Sequence, residues 1–184
     1  SYIKDEVINA FLQEVLNQSV IPEPCKGLKV VYTPLNGSGR VCVTRILDMI
    51  GVDDVTVVPE QEMPDGNFPT CPYPNPEVRE AMELGISLAQ RTESELVLAT
   101  DPDCDRVGIA VKQGREFVLL SGNEVGILLL DYICKRRIAM GRMPDRPVAV
   151  KTIVTIDMAK KIAAQYGIEL REVLTGFKYI GEQI

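Results

Sequence analysis

Three aspartates alternate with other residues in the segment Asp101-Pro-Asp-Cys-Asp-Arg106. In an extended segment, side chains at every second position point to the same side, so the carboxylates of Asp101, Asp103 and Asp105 would converge. Like charges at close range repel and raise each other's pKa unless a cation neutralises them. An all-oxygen ligand set suits a hard divalent ion, with magnesium and calcium as leading candidates. The pattern predicts a metal site, and its plainer alternative is a solvated acidic turn.

Two other kinds of site carry similar aspartate patterns. An EF-hand counted from Asp101 needs glycine at its sixth position and glutamate at its twelfth, where this chain has Arg106 and Lys112. In an aspartyl-phosphate phosphatase, the pattern Asp-x-Asp is followed, after one residue, by threonine or valine. This chain departs from that pattern, because it has Asp105 where the threonine or valine is expected. A metal-dependent phosphatase with Asp101 as nucleophile and a non-enzymatic calcium-binding module stay open as alternatives.

Short apolar runs on either side of the aspartates predict the strands that hold them. Residues 59–76 contain six of the twelve prolines, so they predict an ordered loop rather than a central strand. Asn75 followed by Pro76 and acidic residues predicts the N-cap of a helix that runs to Gln90. The other predicted elements in this part are helices at Tyr2–Gln18 and Arg40–Ile50, and strands at Leu28–Tyr32, Val55–Val58, Leu96–Ala99, Val107–Val111 and Glu116–Leu120.

Strands and helices continue to alternate after residue 120. The pattern predicts a helix from Asn123 through Ile133 that ends in the basic residues Lys135, Arg136 and Arg137, and a second helix at Asp157–Tyr166. It also predicts strands at Val148–Val154 and Glu169–Leu174, and a turn at Thr175-Gly176. This order predicts an α/β fold with three helix-sheet-helix layers and a mixed or mostly parallel sheet. We expect residues 1–120 to form one domain and residues 121–184 an incomplete start of a second, similar domain.

Composition limits the classes of function. The net charge of −6 argues against a nucleic-acid partner, because phosphate neutralisation needs a basic face. No apolar stretch is long enough to span a bilayer, and the five cysteines are too widely spaced for a disulfide framework. These features predict a cytoplasmic protein without a membrane partner. The chain has no histidine, so acid-base chemistry would need other side chains.

The segment Asn36-Gly-Ser-Gly39 follows a predicted strand and opens a predicted helix, where backbone N–H groups can hold an anion. It lacks the lysine of a P-loop and the spacing of a dinucleotide fingerprint. We therefore expect a packing role for it, beside the aspartate segment. Asn67 and Phe68 are expected to order the proline-rich loop.

Four segments resemble the α-D-phosphohexomutase superfamily, in the same order along nearly the whole chain. The segment Thr100–Ala110 resembles its metal loop, and Val173–Gly181, with Leu-Thr-Gly-Phe-Lys, is most similar to the phosphoglucomutase branch. The others are Asp65-Gly-Asn-Phe-Pro69 and Leu120-Ser-Gly-Asn-Glu124. The resemblance implies that residues 1–120 correspond to the second domain of a four-domain mutase, and residues 121–184 to the start of its third, sugar-recognition domain.

The resemblance also implies an activity and its residues. Such enzymes are isomerases of carbohydrate metabolism that move a phosphoryl group between O1 and O6 of a hexose, through an active-site phosphoserine and a sugar bisphosphate. Mg²⁺ bridges the aspartates and the phosphoserine, and Arg106 contacts phosphate oxygens or pairs with a neighbouring carboxylate. Thr175 and Gly176 match a turn that contacts the sugar phosphate, and Lys178 would add positive charge there. The phosphoserine segment, of Thr-Ala-Ser-His-Asn-Pro type, is not in this chain, so we expect it to be inactive without the other domains of its parent.

Overall fold

The computed structural model describes residues 3–21 and 23–183, so Tyr2, at the start of the first predicted helix, lies outside the described part. The chain divides into two compact units, Ser1–Gly122 and Asn123–Ile184. Each unit is described by itself. Among the described residues, no helix combines the length and the apolar character that crossing a membrane requires.

The first unit contains a five-stranded mixed sheet in the order β2-β1-β3-β4-β5. Strands β2, β1 and β3 are parallel to one another. Strand β4 pairs antiparallel with β3 on one side and with β5 on the other. The strands are β1 (Lys29–Thr33), β2 (Asp54–Val57), β3 (Leu96–Thr100), β4 (Val107–Gln113) and β5 (Glu116–Leu120), and the helices are α1 (Asp5–Asn17), α2 (Arg40–Met49) and α3 (Arg79–Thr92). The predicted α/β fold with a mixed sheet is confirmed.

Helices cover both faces of this sheet. Successive side chains of a strand point to opposite faces, so the apolar strands give the sheet two apolar faces that must be covered. Val31 of β1 belongs to the larger core cluster, together with Met82 and Ile86 of α3. Its neighbour Val30 belongs to a second cluster with Leu47 of α2. The two clusters are the two interfaces of a helix-sheet-helix sandwich.

The strand register brings two loops to one edge of the sheet. Thr33 of β1 lies opposite Ala99 of β3, and the two strands are parallel, so both end at the same edge. The loop after β1 therefore emerges beside the loop after β3. The latter, residues 101–106, joins β3 to its antiparallel neighbour β4, since Thr100 lies opposite Val107. The carboxyl ends of parallel strands are where α/β sheets usually carry ligand sites.

Some predicted boundaries were wrong, and one error concerns a cap. Helix α3 begins at Arg79 with Val78 as its N-cap, so Asn75 is not the cap. The side chain of Asn75 instead accepts a hydrogen bond from the N–H of Glu77 at 3.0 Å, within a turn of residues 75–78. In this turn the carbonyl of Pro76 packs closely on Gly108 of β4.

The second unit contains a two-stranded parallel sheet and three helices. Its elements are α4 (Gly122–Ala139), which starts at the last residue of the first unit, β6 (Val148–Thr152), α5 (Met158–Tyr166), β7 (Glu169–Val173) and α6 (Phe177–Gly181). Helix α4 ends at Ala139, two residues after the predicted end at Arg137, and β6 stops at Thr152 rather than Val154. Arg136 and Arg137 lie in the last turn of α4, where cations complement the helix dipole.

Candidate metal centre

The loop between β3 and β4 is a tight turn, so the prediction of an extended segment was wrong. Cys104 has φ 63°, a left-handed conformation that reverses the chain, and its N–H donates to the carbonyl of Asp101 at 3.0 Å. The carboxylates converge nevertheless: one oxygen each of Asp101, Asp103 and Asp105 lies within 4.8 Å of the others. The tight turn therefore brings the three carboxylates together, which was expected from side-chain alternation in an extended segment.

Asp101 is the fixed member of this cluster. Its side chain is 0% exposed, and both carboxylate oxygens accept hydrogen bonds from Arg106, Oδ1 from the backbone N–H at 2.9 Å and Oδ2 from Nε at 2.7 Å. Burial acts to raise the pKa of Asp101, but these two bonds and the guanidinium charge outweigh it and hold the pKa below its ordinary value. The buried carboxylate therefore stays charged.

Asp103 and Asp105 are exposed and repel each other. The charge of Asp103 is the largest cause that raises the pKa of Asp105 above its ordinary value, followed by desolvation and by the charge of Asp101. A divalent cation between the three groups would remove this repulsion. Three carboxylates within 4.8 Å form an all-oxygen donor set, so this cluster could hold a hard metal ion.

Arg106 completes the loop from its last position. Its Nε also lies 3.6 Å from Oδ1 of Asp105, and the side chain is 55% exposed. The hydrogen bond to Asp101 is the largest cause that raises the pKa of Arg106 above its ordinary value, so the guanidinium is permanently charged. The ion pair with a neighbouring carboxylate, one of the two roles expected from the sequence, is thus present.

The glycine-rich loop of residues 36–39 packs against the loop of residues 101–106 that carries the three aspartates, as expected from the sequence. The N–H and the hydroxyl of Ser38 both donate to the carbonyl of Pro102, at 2.9 and 3.0 Å. Behind the loop, the buried hydroxyl of Tyr32 lies 2.8 Å from Oγ1 of Thr100. Burial is the main cause that raises the pKa of Tyr32 to about 12, which keeps this phenol neutral. Sequence reasoning missed Tyr32, whose only signal was a polar tip at the end of an apolar strand.

The proline-rich loop forms the wall of a groove beside the aspartates. The groove has a volume of about 390 Å³. It is lined by Phe68, Tyr73, Pro74, Asn75, Asp101, Pro102, Asp103 and Arg106. Phe68 has φ 46°, an uncommon conformation for a bulky residue, so its place in this wall is held by its surroundings. This wall was not among the residues expected at the site.

The second unit carries the three remaining residues expected at the site. Thr175 and Gly176 follow the end of β7, and Gly176 has φ 133°, which a residue with a side chain rarely adopts. Lys178 lies in the short helix α6, with Nζ 4.6 Å from the centre of the Tyr179 ring. Thr175 and Gly176 thus lie in the turn after β7, and Lys178 lies in the helix that follows this turn.

Sequence comparison decides the family. The protein-family model "Phosphoglucomutase/phosphomannomutase, alpha/beta/alpha domain II" matches residues 8–114. The family model for domain III of the same enzymes matches residues 121–184. The chain belongs to the phosphoglucomutase/phosphomannomutase family. The resemblance read from the sequence motifs is thereby confirmed.

Individual relatives agree with this assignment. A phosphoribomutase from Saccharomyces cerevisiae is 36% identical over 197 residues, which cover 99% of this chain and 32% of the yeast protein. A phosphoglucomutase from Staphylococcus saprophyticus is 36% identical over 186 residues, covering 100% of this chain and 33% of that protein. The chain thus spans about a third of the length of the curated relatives it matches.

Solved structures share the fold. A phosphoglucomutase/phosphomannomutase family protein from Burkholderia thailandensis has a TM-score of 0.75 at 19% identity, covering 96% of this chain and 35% of that one. An N-acetylphosphoglucosamine mutase from Aspergillus fumigatus, solved in complex with glucose 1,6-bisphosphate, has a TM-score of 0.53 at 15% identity. The match covers 96% of this chain and 32% of the Aspergillus chain. At these identities the likeness shows the fold alone.

Proposed function

We propose that this chain is part of a phosphoglucomutase-type enzyme, which moves a phosphoryl group between O1 and O6 of a hexose through a phosphoserine and a sugar bisphosphate. The observation that carries the proposal is the convergence of three carboxylates within 4.8 Å, at the carboxyl edge of the sheet, in a member of this family. Phosphoryl transfer needs mainly positioning and neutralisation of charge, and such a cluster suits that need.

In this proposal Asp101, Asp103 and Asp105 hold Mg²⁺, and Arg106 binds phosphate. Once bound, the ion would neutralise charge on the oxygens of the transferred phosphoryl group. Asp101 is kept ionised by Arg106 and fixes one ligand direction, while the exposed Asp103 and Asp105 present theirs towards solvent. The exposed part of the Arg106 guanidinium would donate to phosphate oxygens while its Nε holds Asp101.

The second unit would bind the sugar phosphate. Thr175 and Gly176 offer a hydroxyl and backbone groups at the carboxyl end of β7, and Lys178 adds a positive charge three residues after Thr175. Helix α6 is too short to contribute a strong dipole, so the side chains and the turn itself are proposed as the contacts. Their ligand would be a hexose phosphate or hexose bisphosphate.

We further propose that residues 1–120 act as the second domain and residues 121–184 as the start of the third domain of a longer cytoplasmic parent. The chain covers about a third of its relatives and contains no segment of the phosphoserine type. The phosphoserine and the remaining domains would then come from the rest of the parent, so the 184-residue chain alone should not turn over hexose phosphates. No nucleic acid or membrane takes part in this scheme.

The phosphatase alternative requires Asp101 itself to become phosphorylated, whereas the match of residues 8–114 to the family model of mutase domain II supports the mutase. A calcium-binding module of EF-hand type needs flanking helices, whereas β3 and β4 flank this loop.

Metal titration of the purified chain tests the proposal. Mn²⁺ serves as a Mg²⁺ analogue whose free form is counted by electron paramagnetic resonance. We expect weak binding at one site, displaced by Mg²⁺, and a loss of binding in Asp103→Asn. Displacement by Ca²⁺ at far lower concentrations than Mg²⁺ would favour the calcium-binding module.

A coupled assay covers the second part of the proposal. The 184-residue chain should give no glucose 6-phosphate from glucose 1-phosphate, even with glucose 1,6-bisphosphate and Mg²⁺ present. In the full-length parent, Asp103→Asn should lower kcat by about 100-fold or more, as loss of a charge-stabilising group does. Turnover by the chain alone would contradict the proposal.

A further inference from the structure

We propose that Gly37 and Ser38 are positioning residues that set the affinity of the aspartate cluster for its ion. They act through Pro102, the residue between Asp101 and Asp103. This inference rests on the proposed function, because it takes the three aspartates as the ligands.

The contact between Ser38 and Pro102 fixes the path of the chain between two of these aspartates. The backbone N–H and the hydroxyl of Ser38 donate to the same carbonyl oxygen of Pro102, at 2.9 and 3.0 Å, and so engage both of its lone pairs. The proline ring fixes φ of Pro102, and a held carbonyl fixes ψ. The direction in which Asp103 leaves Asp101 is therefore determined by Ser38.

Gly37 makes this contact possible. A Cβ atom at Gly37 would lie 2.3 Å from the Cα and 2.6 Å from the carbonyl oxygen of Pro102, and these backbone atoms have no flexible end that could move away. A Cβ at Gly39 would instead meet side chains, since it would lie 2.6 Å from the Tyr32 hydroxyl and 2.9 Å from Sγ of Cys104, so the backbone contact is made at Gly37. The two loops thus approach each other backbone to backbone.

The residues before Gly37 hold the glycine-rich loop in this position. Leu35 and Asn36 are buried and adopt φ of 49° and 57°, a left-handed conformation that is unfavourable for Leu35 and that asparagine adopts more readily. Asn36 is held by its N–H donating to the carbonyl of Gln61 and by Nδ2 donating to that of Met63, both at 2.9 Å. Strained conformations persist only where the surroundings over-determine them, and they cluster at functional sites. Ser38 is thus presented to Pro102 by a rigid support.

Measuring both the stability and the metal affinity of a Ser38 variant distinguishes a positioning role of Ser38 from a packing role. Ser38 is exposed, and its hydroxyl buries no apolar surface, so a packing role predicts almost no effect of its removal on either quantity. A positioning role predicts weaker metal binding at unchanged stability. Groups that orient metal ligands typically change affinity by about 10-fold or more when removed.

The test measures Mn²⁺ affinity of the 184-residue chain by electron paramagnetic resonance, together with the urea midpoint of each variant. We expect Ser38→Ala to weaken Mn²⁺ binding by about 5- to 10-fold at an unchanged midpoint, towards the lower end of such effects because the backbone N–H remains. Ser38→Thr keeps the hydroxyl and should restore the wild-type affinity. Equal affinity of wild type and Ser38→Ala would overturn the inference, and so would equal losses in Ser38→Ala and Ser38→Thr.

Gly37→Ala gives a second, independent reading, with Gly66→Ala as its matched control because a Cβ at Gly66 meets nothing within 4 Å. We expect Gly37→Ala to lose Mn²⁺ binding and Gly66→Ala to keep it. If Gly37→Ala does not fold, Ser38→Ala decides. If the wild-type chain binds no Mn²⁺, the proposed metal site itself is contradicted. If the wild-type chain binds Mn²⁺ and the Ser38 variants bind it equally well, only the positioning role is contradicted.

Discussion

Arg106 donates to both carboxylate oxygens of Asp101, from its backbone N–H and from Nε, at 2.9 and 2.7 Å. The last residue of the loop thereby closes on the first and makes a ring of residues 101–106. The buried carboxylate in this ring is an anchor as well as a candidate ligand, whereas Asp103 and Asp105 stand at its exposed rim. Substitutions at the anchor and at the rim should therefore have different consequences.

Asp101→Asn should destabilise the first unit. Whichever carboxylate oxygen becomes the amide nitrogen, a new donor then faces a donor of Arg106, and one charge-assisted hydrogen bond is lost. We expect the free energy of unfolding to fall by about 2 kcal/mol in urea denaturation followed by circular dichroism. Asp103→Asn is the matched control, since the exposed side chain should leave stability within about 0.5 kcal/mol. Equal stability of the two variants would show that the closed ring contributes nothing to stability.

Asp105 should titrate above the ordinary range of an aspartate in the metal-free chain. A raised pKa means that the folded state holds this proton more tightly than the unfolded state. The contribution of Asp105 to stability is therefore fully present below its unfolded pKa and is lost as pH rises through its folded pKa. Carboxyl ¹³C shifts recorded against pH measure the pKa directly. Asp103→Asn should bring it down towards the ordinary value, because the charge of Asp103 is the largest cause of the shift; an unchanged midpoint would exclude that cause.

The sequence predicts the scaffold well and the site only in part. Strand β1 and helix α2 follow from apolar periodicity, which is a local property. The convergence of the three carboxylates was predicted from an extended segment, yet the structure reaches it through the left-handed Cys104, a conformation without a local signal. Asn75 carries the local marks of a helix cap, but the helix begins only at Arg79, and Pro76 lies instead in close contact with Gly108, a residue 32 positions away. Contacts between distant residues are what local patterns leave out.

A buried polar network illustrates such contacts. Oγ1 of Thr33 donates to Oε1 of Gln61 at 2.7 Å, and Nε2 of Gln61 donates to Thr70 at 3.2 Å. Gln61 is 1% exposed, although a glutamine in a proline-rich segment suggests solvent. Gln61→Leu should lower the free energy of unfolding by about 2 kcal/mol, because the hydroxyl of Thr33 loses its acceptor in a dry site. Urea denaturation measures this, and an unchanged midpoint would mean that the bond between Thr33 and Gln61 contributes nothing to stability.

Gly108→Ala should also destabilise the first unit. A Cβ on Gly108 would lie 2.2 Å from the carbonyl oxygen of Pro76, so the proline-rich loop would have to move off β4. We expect a loss of about 2 kcal/mol, typical of overpacking in a close-packed interior, measured by thermal and urea unfolding. Gly66→Ala, in open space on the same loop, should leave stability nearly unchanged. A stable Gly108→Ala variant would show that the loop is not tightly seated.

The double hydrogen bond from Ser38 to Pro102 spans 64 positions of the chain. A protein engineer who grafts Thr100–Arg106 onto another α/β scaffold would transfer three carboxylates without the donors that aim them. Loop Asn36–Gly39 has to travel with the graft, and β1 has to keep its register with β3, in which Thr33 lies opposite Ala99. A slip of one residue between these strands would shift the two loops by about 3.3 Å and part the donor from its carbonyl. The smallest unit that would carry this arrangement of carboxylates to another scaffold is therefore a pair of neighbouring strands with both their loops.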